Sequence, residues 1–328
     1  MDINKEKILK SVISSSITNI ENMIEGKDLI NNKKINKDFV NLNNNKYRKL
    51  VSSFIGNHFD RYNFDNDFSY IFNKKAKDID YKKYLKNFKR YGFVILDTIL
   101  PNDIVDDMVN SLLKINFENK PVNLQKKSSD ISWAKFPGEI AKIDFCNKLL
   151  HDGFLLKFAS LYFKANPVIS SNMFWKTDKL VDKQDSTQLF HQDVDDIMHF
   201  KVFIYLNDID SLEDGAHRYI KGSIKNIDEN VDYKPRCKLP EDYANKKYGD
   251  DIVHHIGKKG TIIIEDTWGY HAGTPIKNKD SRLLYQITFG ISTFPLQEGV
   301  CNGFFDGRYI VKDDFMKKYP ITYMFIND

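Results

Sequence analysis

The chain has 328 residues, 41% of them hydrophobic and 13% aromatic, with 49 Lys+Arg against 45 Asp+Glu for a net charge of +4. That apolar content supports a sizeable core and excludes wholesale disorder. So small a positive excess gives no ground for a nucleic-acid or membrane-surface partner.

Cys146, Cys237 and Cys301 are odd in number, far apart and without a Cys-x-x-Cys pair. They imply neither a disulfide framework nor a zinc site, and a reducing, cytoplasmic compartment is expected. The length fits two domains, or one large β domain with an appendage.

Residues 1–80 read as a polar helical extension. Ile8, Val12, Ile13, Ile17, Ile20 and Met23 recur at helical spacing. Ser, Thr and Asn break that run well short of a signal-peptide core. No stretch approaches the ~20 apolar residues that span a bilayer, so a soluble chain is expected. Asn31-Asn32-Lys33-Lys34 and Asn43-Asn44-Asn45 read as solvated loops. The texture changes at Tyr91-Gly92-Phe93-Val94-Ile95-Leu96-Asp97, a β-branched and aromatic run that predicts a strand. Leu100-Pro101-Asn102-Asp103 then opens a helix. Asn102 or Asp103 is its cap, and Ile104, Met108, Leu112 and Leu113 follow at helical spacing.

The chain becomes strand-rich from about residue 165. Val168 to Trp175, Phe200 to Leu206, Tyr219-Ile220, Thr261 to Ile264 and Leu283 to Thr288 are the clearest runs. Turn clusters such as Leu212-Glu213-Asp214-Gly215 and Gly257-Lys258-Lys259-Gly260 separate them. Many short strands with turns between them predict a sandwich or barrel. The expected architecture is α+β and mainly β: a helical extension over 1–80, then a β domain with flanking helices over 81–328.

His191-Gln192-Asp193 carries the chemistry. In extended backbone, residues two apart point to one side, so both side chains can reach one ion. Two imidazoles and a carboxylate hold a non-haem Fe(II) on one face and leave the other open. A His-x-Asp tripeptide alone is cheap: His58-Phe59-Asp60 is a second one, in polar surroundings with no strands after it, and reads as a chance match.

The third ligand is open among His199, His217, His254, His255 and His271. His271 follows the apolar run Thr261 to Ile264 and precedes Arg282 by eleven residues. A guanidinium there could clamp a carboxylate with two parallel hydrogen bonds. Eleven residues on from His254 and His255 stand Glu265 and Asp266, which cannot clamp an anion. On pattern alone, a hydrogen-bonded loop histidine is the favoured reading of His271. Only seven of the 49 cationic residues are Arg, so each is a more pointed choice of fork geometry.

FHQDVDDIMHFKVFIYLNDIDSLEDGAHRYIKGS, GTIIIEDTWGYHAGTP and SRLLYQITFG together resemble the phytanoyl-CoA dioxygenase family. YLKNFKRYGFVILDTILPNDIVDDMV is similar to that family's strand-then-helix opening. The resemblance spans about residues 81–295 and leaves the first eighty without a counterpart. It implies a double-stranded β-helix (a jelly-roll, cupin-like barrel) that uses Fe(II), 2-oxoglutarate and O2 and releases succinate and CO2. It implies that His191, Asp193 and His271 hold the iron as the catalytic centre, and that Arg282 binds the distal carboxylate of 2-oxoglutarate. Tyr205 falls where the family sets an aromatic residue against the co-substrate, and Met173 matches a lining position. Lys201 shares a strand face with Phe203 and Tyr205 and would also line the pocket.

Two departures stand out. The family often carries a hydroxyl two residues past the distal histidine, where this chain has Gly273, so Thr274 is the substitute. Lys221-Gly222-Ser223-Ile224 replaces the usual Pro-Gly-Ser-His. Halogenating relatives lack the ligand carboxylate, so Asp193 favours hydroxylation.

Substrate contacts are less constrained. Asp195, Asp196 and His199 read either as a pocket mouth or as surface turn charges. Trp268 and Tyr270 read as substrate platforms or as core. Arg218 can point into the barrel or out of it. The expected substrate is a small polar metabolite, and oligomeric state is not legible. Two rivals share the barrel: a metal-dependent isomerase or hydrolase, which needs no co-substrate clamp, and a non-catalytic binding module.

Overall fold

A computed structural model describes residues 3–25, 27, 37–39, 45–114, 132–134, 137–179, 188–225, 238–291 and 313–324. The polar runs 31–34 and 43–44, Cys237 and Cys301 lie outside the described residues.

The N-terminal apolar repeat forms helix α1 (Ile3–Ile24), which buries Leu9, Val12 and Ile20. It packs on α2 (Asn45–His58), which buries Arg48, Val51, Ser52 and Ile55. A short antiparallel pair, β1 (Phe68–Ser69) with β2 (Lys74–Lys75), follows within a segment that reads as helical. α3 (Tyr81–Tyr91) starts where the Asp80 carboxylate accepts the Lys82 N–H, and ends at Gly92 in the left-handed region (φ 90°). β3 (Phe93–Ile99) and α4 (Asn102–Lys114) occupy the predicted strand and helix. Then come β4 (Ser132–Ala134), α5 (Pro137–Ala141), α6 (Asp144–Leu150) and α7 (Gly153–Phe163), whose first turn is capped by the Asp152 carboxylate on Leu155 N–H.

The remaining strands are β5 (Val168–Asp178), β6 (Phe200–Tyr205), β7 (His217–Ile220), β8 (Ile252–His255), β9 (Thr261–Glu265), β10 (His271–Gly273) and β11 (Ser281–Gly290). Helix α8 (Glu241–Tyr248) precedes β8, and α9 (Asp313–Lys318) comes last. The large sheet has the order β3-β9-β6-β11-β5-β4 and the small one β10-β7-β8, with every pairing antiparallel.

Alternation along the large sheet separates two environments. Phe174, Val202, Ile204, Ile262, Ile264, Tyr285, Ile287 and Phe289 share one apolar cluster with Phe154, Phe158 and Phe163 of α7. Each such side chain withdrawn from water contributes about 1.5–3 kcal/mol. Leu9, Val12, Val51 and Ile55 of α1 and α2 belong to that same cluster. On the other face Phe203, Tyr205, Ile263 and Leu284 meet Ala216, which directly precedes β7. The Tyr205 hydroxyl spans the gap to the small sheet, donating to the His255 carbonyl at 2.7 Å and accepting the His217 N–H at 3.1 Å. The two sheets therefore face one another across an interior lined by the inward residues of β5, β6, β9 and β11. No described helix is long and apolar enough to cross a membrane.

Candidate metal centre

One end of that interior is closed by main chain. Residues 191 and 271 form an isolated antiparallel bridge, each N–H donating to the other's carbonyl at 3.0 Å. Asp193 N–H is tied to the Thr267 carbonyl at 2.8 Å. Three side chains converge there: His191, Asp193 and His271 each offer a ligand atom, all within 4.8 Å of one another. Among the described residues no other group of three His, Cys, Asp or Glu does so. His191 Nε2 lies 3.7 Å from Asp193 Oδ1, and His271 Nε2 lies 3.3 Å from Asp193 Oδ2.

The far nitrogen of each imidazole is held from behind. His191 Nδ1–H donates to the Leu189 carbonyl at 2.8 Å, and His271 Nδ1–H to the Gly269 carbonyl at 3.1 Å. A carbonyl only accepts, so Nδ1 carries a proton in both rings and Nε2 is the atom turned to the centre. This is the tautomer and support that metal-bound imidazoles have.

Charge balance fits a cation. Burial, then the His271 charge, lowers the His191 pKa to about 3. Burial opposes charge on His271 too, but the Asp193 carboxylate outweighs it and raises that pKa. Burial likewise works against ionised Asp193, yet Lys201 and the two imidazoles hold its carboxyl well below the usual range. Asp193 already has the Lys201 ammonium beside it, and the two Nε2 lone pairs with the ionised carboxylate still form a donor set that suits a divalent ion.

Lys201 is nearer this centre than a pocket-lining role requires. Its Nζ lies 2.5 Å from Asp193 Oδ2 and 2.9 Å from Asp195 Oδ2. Arg282, on β11, donates from Nη1 to the Gly215 carbonyl at 2.7 Å. Its Nε is sealed from solvent without a hydrogen-bond partner, and no carboxylate of the described residues lies within ion-pair distance. Burial lowers its pKa. A sheltered guanidinium without a carboxylate is costly unless a ligand supplies the anion.

Other expected residues fall as follows. Tyr205 is fully buried, with its hydroxyl committed between β7 and β8. Met173 is on the inward face of β5, and its sulfur receives Gln286 Nε2–H at 3.9 Å. The Thr274 hydroxyl donates to the Ala216 carbonyl at 2.7 Å, which joins the chain after β10 to the start of β7.

Asp196, His199 and Trp268, read as candidate substrate contacts, are each 0–2% exposed and hydrogen-bonded. The Asp196 carboxylate accepts Ile197 and Ile291 N–H groups, His199 Nε2 meets Thr267 Oγ1 at 2.9 Å, and Trp268 Nε1–H donates to the Asp196 carbonyl at 3.0 Å. They brace the loop after Asp193 against residues 266–268. Tyr270 is core as well, in a cluster with Phe190 and Ile220, and Arg218 turns away from the interior to Glu241. His58 of the second His-x-Asp is bonded to Glu21 at the surface, far from any cluster of ligands.

Sequence reasoning passed over a buried network beside the centre. Glu265 is fully buried, with His217 Nε2 at 2.8 Å from one oxygen and His255 Nε2 at 2.9 Å from the other. The His217 ring lies 5.7 Å from that of His271 and 6.2 Å from that of His255, both near-parallel. The signal was a carboxylate ending the otherwise apolar run Thr261-Ile262-Ile263-Ile264.

No protein-family model matches the chain, and no curated protein matches it. Among solved structures it is similar to HygX from Streptomyces hygroscopicus with nickel and 2-oxoglutarate bound (15% identity, TM-score 0.48, covering 66% of this chain and 89% of that one). It is similar to AviO1 from Streptomyces viridochromogenes (15%, 0.45, 66% and 97%). It is also similar to SnoN, a non-haem α-ketoglutarate-dependent epimerase from nogalamycin biosynthesis (12%, 0.49, 64% and 82%). Overlaps this loose assign neither a fold nor a chemistry to this chain.

Proposed function

We propose that this chain is an Fe(II)- and 2-oxoglutarate-dependent oxygenase that hydroxylates a small polar metabolite. The observation that carries the reading is the convergence of His191, Asp193 and His271, with both imidazoles tied back through Nδ1 so that Nε2 faces one point. The strand order supports it. The large antiparallel sheet β3-β9-β6-β11-β5-β4, the small sheet β10-β7-β8 and the bridge of residue 191 to β10 are consistent with a double-stranded β-helix that carries its ligand pair at one mouth.

His191, Asp193 and His271 would hold the iron, which supplies oxygen activation coupled to the conversion of 2-oxoglutarate to succinate and CO2. Arg282 would bind the distal carboxylate of the co-substrate, replacing the anion it lacks among the described residues. Met173 and Thr274 line the same interior. Tyr205 fixes the wall between the sheets, and its ring is close enough to Arg282 to affect its charge. Lys201 donates to Asp193 Oδ2, the oxygen that also faces His271, and so would help to fix the carboxylate in place. The apolar inner residues Phe203, Ile263 and Leu284 keep bulk water from the reacting centre.

Anaerobic titration of the protein with Fe(II) and then 2-oxoglutarate tests this. A metal-to-ligand charge-transfer band is expected, with succinate formed on admission of oxygen, and both are lost in Asp193→Ala. A wild-type protein without the band, or an Asp193→Ala protein that keeps it, overturns the reading.

A further inference from the structure

Helix α2 reaches the metal centre through one side chain. Arg48 is 2% exposed, and its guanidinium carbon sits 4.2 Å from the centroid of the Trp268 ring. Trp268 is bonded at each of its polar edges. Its N–H donates to Asp266 Oδ1 at 3.1 Å, its Nε1–H to the Asp196 carbonyl at 3.0 Å, and its carbonyl accepts Gln192 Nε2–H at 2.5 Å. Gln192 is the residue between His191 and Asp193, and the neighbouring Thr267 carbonyl holds Asp193 N–H. Trp268 also precedes His271 by only three positions. Through its main chain and its indole Nε1, Trp268 therefore ties together both chain segments that bring ligands to the centre.

The helix that carries Arg48 is itself anchored. Ser52 Oγ–H donates to the Phe163 carbonyl at 2.5 Å, and Asn45 Nδ2–H to the Ile224 carbonyl at 3.1 Å. At Gly56 the helix comes so near the Lys164 main chain that a Cβ would stand 1.9 Å from the Lys164 oxygen. A guanidinium held over an indole away from water is attracted by the negative face of the ring, whereas a solvated appendage would leave this charge in water.

We propose that Arg48 is a positioning residue of the metal centre. It clamps Trp268 and, through the Trp268 carbonyl on Gln192, sets the placement of His191 relative to Asp193. The inference rests on the metal reading above. It makes part of residues 1–80, the region outside the family resemblance, a working component of the site.

The test uses the full chain and Co(II), an oxygen-stable probe with a visible spectrum that reports ligand geometry. Metal affinity, the spectrum and thermal unfolding are measured for wild type, Arg48→Ala, Arg48→Lys, Trp268→Phe and Ser52→Ala. Ser52→Ala removes an anchor of the same helix and lowers the melting temperature, with Co(II) binding and spectrum as in wild type. Arg48→Ala and Trp268→Phe weaken Co(II) binding by about 10- to 100-fold, the usual effect of removing support behind a ligand, and shift the spectrum. Arg48→Lys recovers part of the affinity.

Arg48→Ala binding within about twofold of wild type with an unchanged spectrum overturns the proposal, as does an equal loss in Ser52→Ala. If Arg48→Ala does not fold, Arg48→Lys and Trp268→Phe decide by the same criteria. Failure of the metal reading looks different: wild type then binds no Co(II), or Asp193→Ala binds it undiminished.

Discussion

At the scale of single residues, two buried charges set the character of the interior. Arg282 has a carbonyl partner but no described carboxylate, so it awaits an anion. Arg282→Ala is expected to raise the 2-oxoglutarate concentration needed for half-saturation by about 10- to 100-fold, the loss of charged hydrogen bonds worth about 1.5–3 kcal/mol. Fe(II) affinity should stay unchanged, which an anaerobic titration checks. Glu265 is the opposite case, a buried carboxylate whose two oxygens each meet an imidazole. Glu265→Gln removes the charge that sits between both rings and alters the acceptor of the His217 bond, and should cost about 1.5–3 kcal/mol in urea unfolding. The pairing of His191 with Asp193 was legible because residues two apart in extended backbone share a side, whereas the third partner stayed open among five histidines. Glu265 was not legible, since its partners come from β7 and β8, and nothing local announces a pairing 48 residues away.

Elements were legible where they are long and patterned. The strand at 93–99 and the helix at 102–114 fall on their predicted runs, β5 and β9 run past theirs at the C-terminal end, β11 runs past its own at both ends, and β6 stops one residue short. β10, with three residues, and β8, with four, are too short for any period to register. They are strands only because β7 stands between them with the hydrogen bonds they need. The junction from α3 to β3 depends on Gly92, whose φ is 90° and whose Cβ position lies 2.3 Å from the Tyr219 hydroxyl. That hydroxyl donates to the Asp266 carbonyl at 2.7 Å. Gly92→Ala combines a left-handed backbone with this clash and is expected to cost about 1–3 kcal/mol, read as a lower melting temperature.

For the whole molecule, the clearest pH signature comes from opposed buried carboxylates. Burial pushes the Asp152 carboxyl up to about 6 from 3.8, despite the Ile71 and Leu155 N–H groups and the Ser69 hydroxyl. Between those values the folded chain holds a proton that the unfolded chain has released, so this group's stabilising contribution is present below pH 3.8 and lost as pH rises through 6. Glu265 runs the other way. Burial raises its pKa, but His217 and His255 outweigh that and lower it to about 2 from 4.5, so its contribution is present above pH 4.5 and lost as pH falls toward 2. Asp152→Asn keeps a capping side chain at α7 and removes the titration. Relative to wild type its stability should therefore rise between pH 4 and pH 6, measured as denaturation midpoints across that window.

The bridge between residues 191 and 271 bears on how such a chain changes over generations. Main-chain hydrogen bonds are indifferent to side-chain identity, so this bridge holds the backbones of residues 191 and 271 in register whatever side chains line the interior. The positions from which the two imidazoles start are thus decoupled from the choice of lining residues, which leaves the lining free to be exchanged by design.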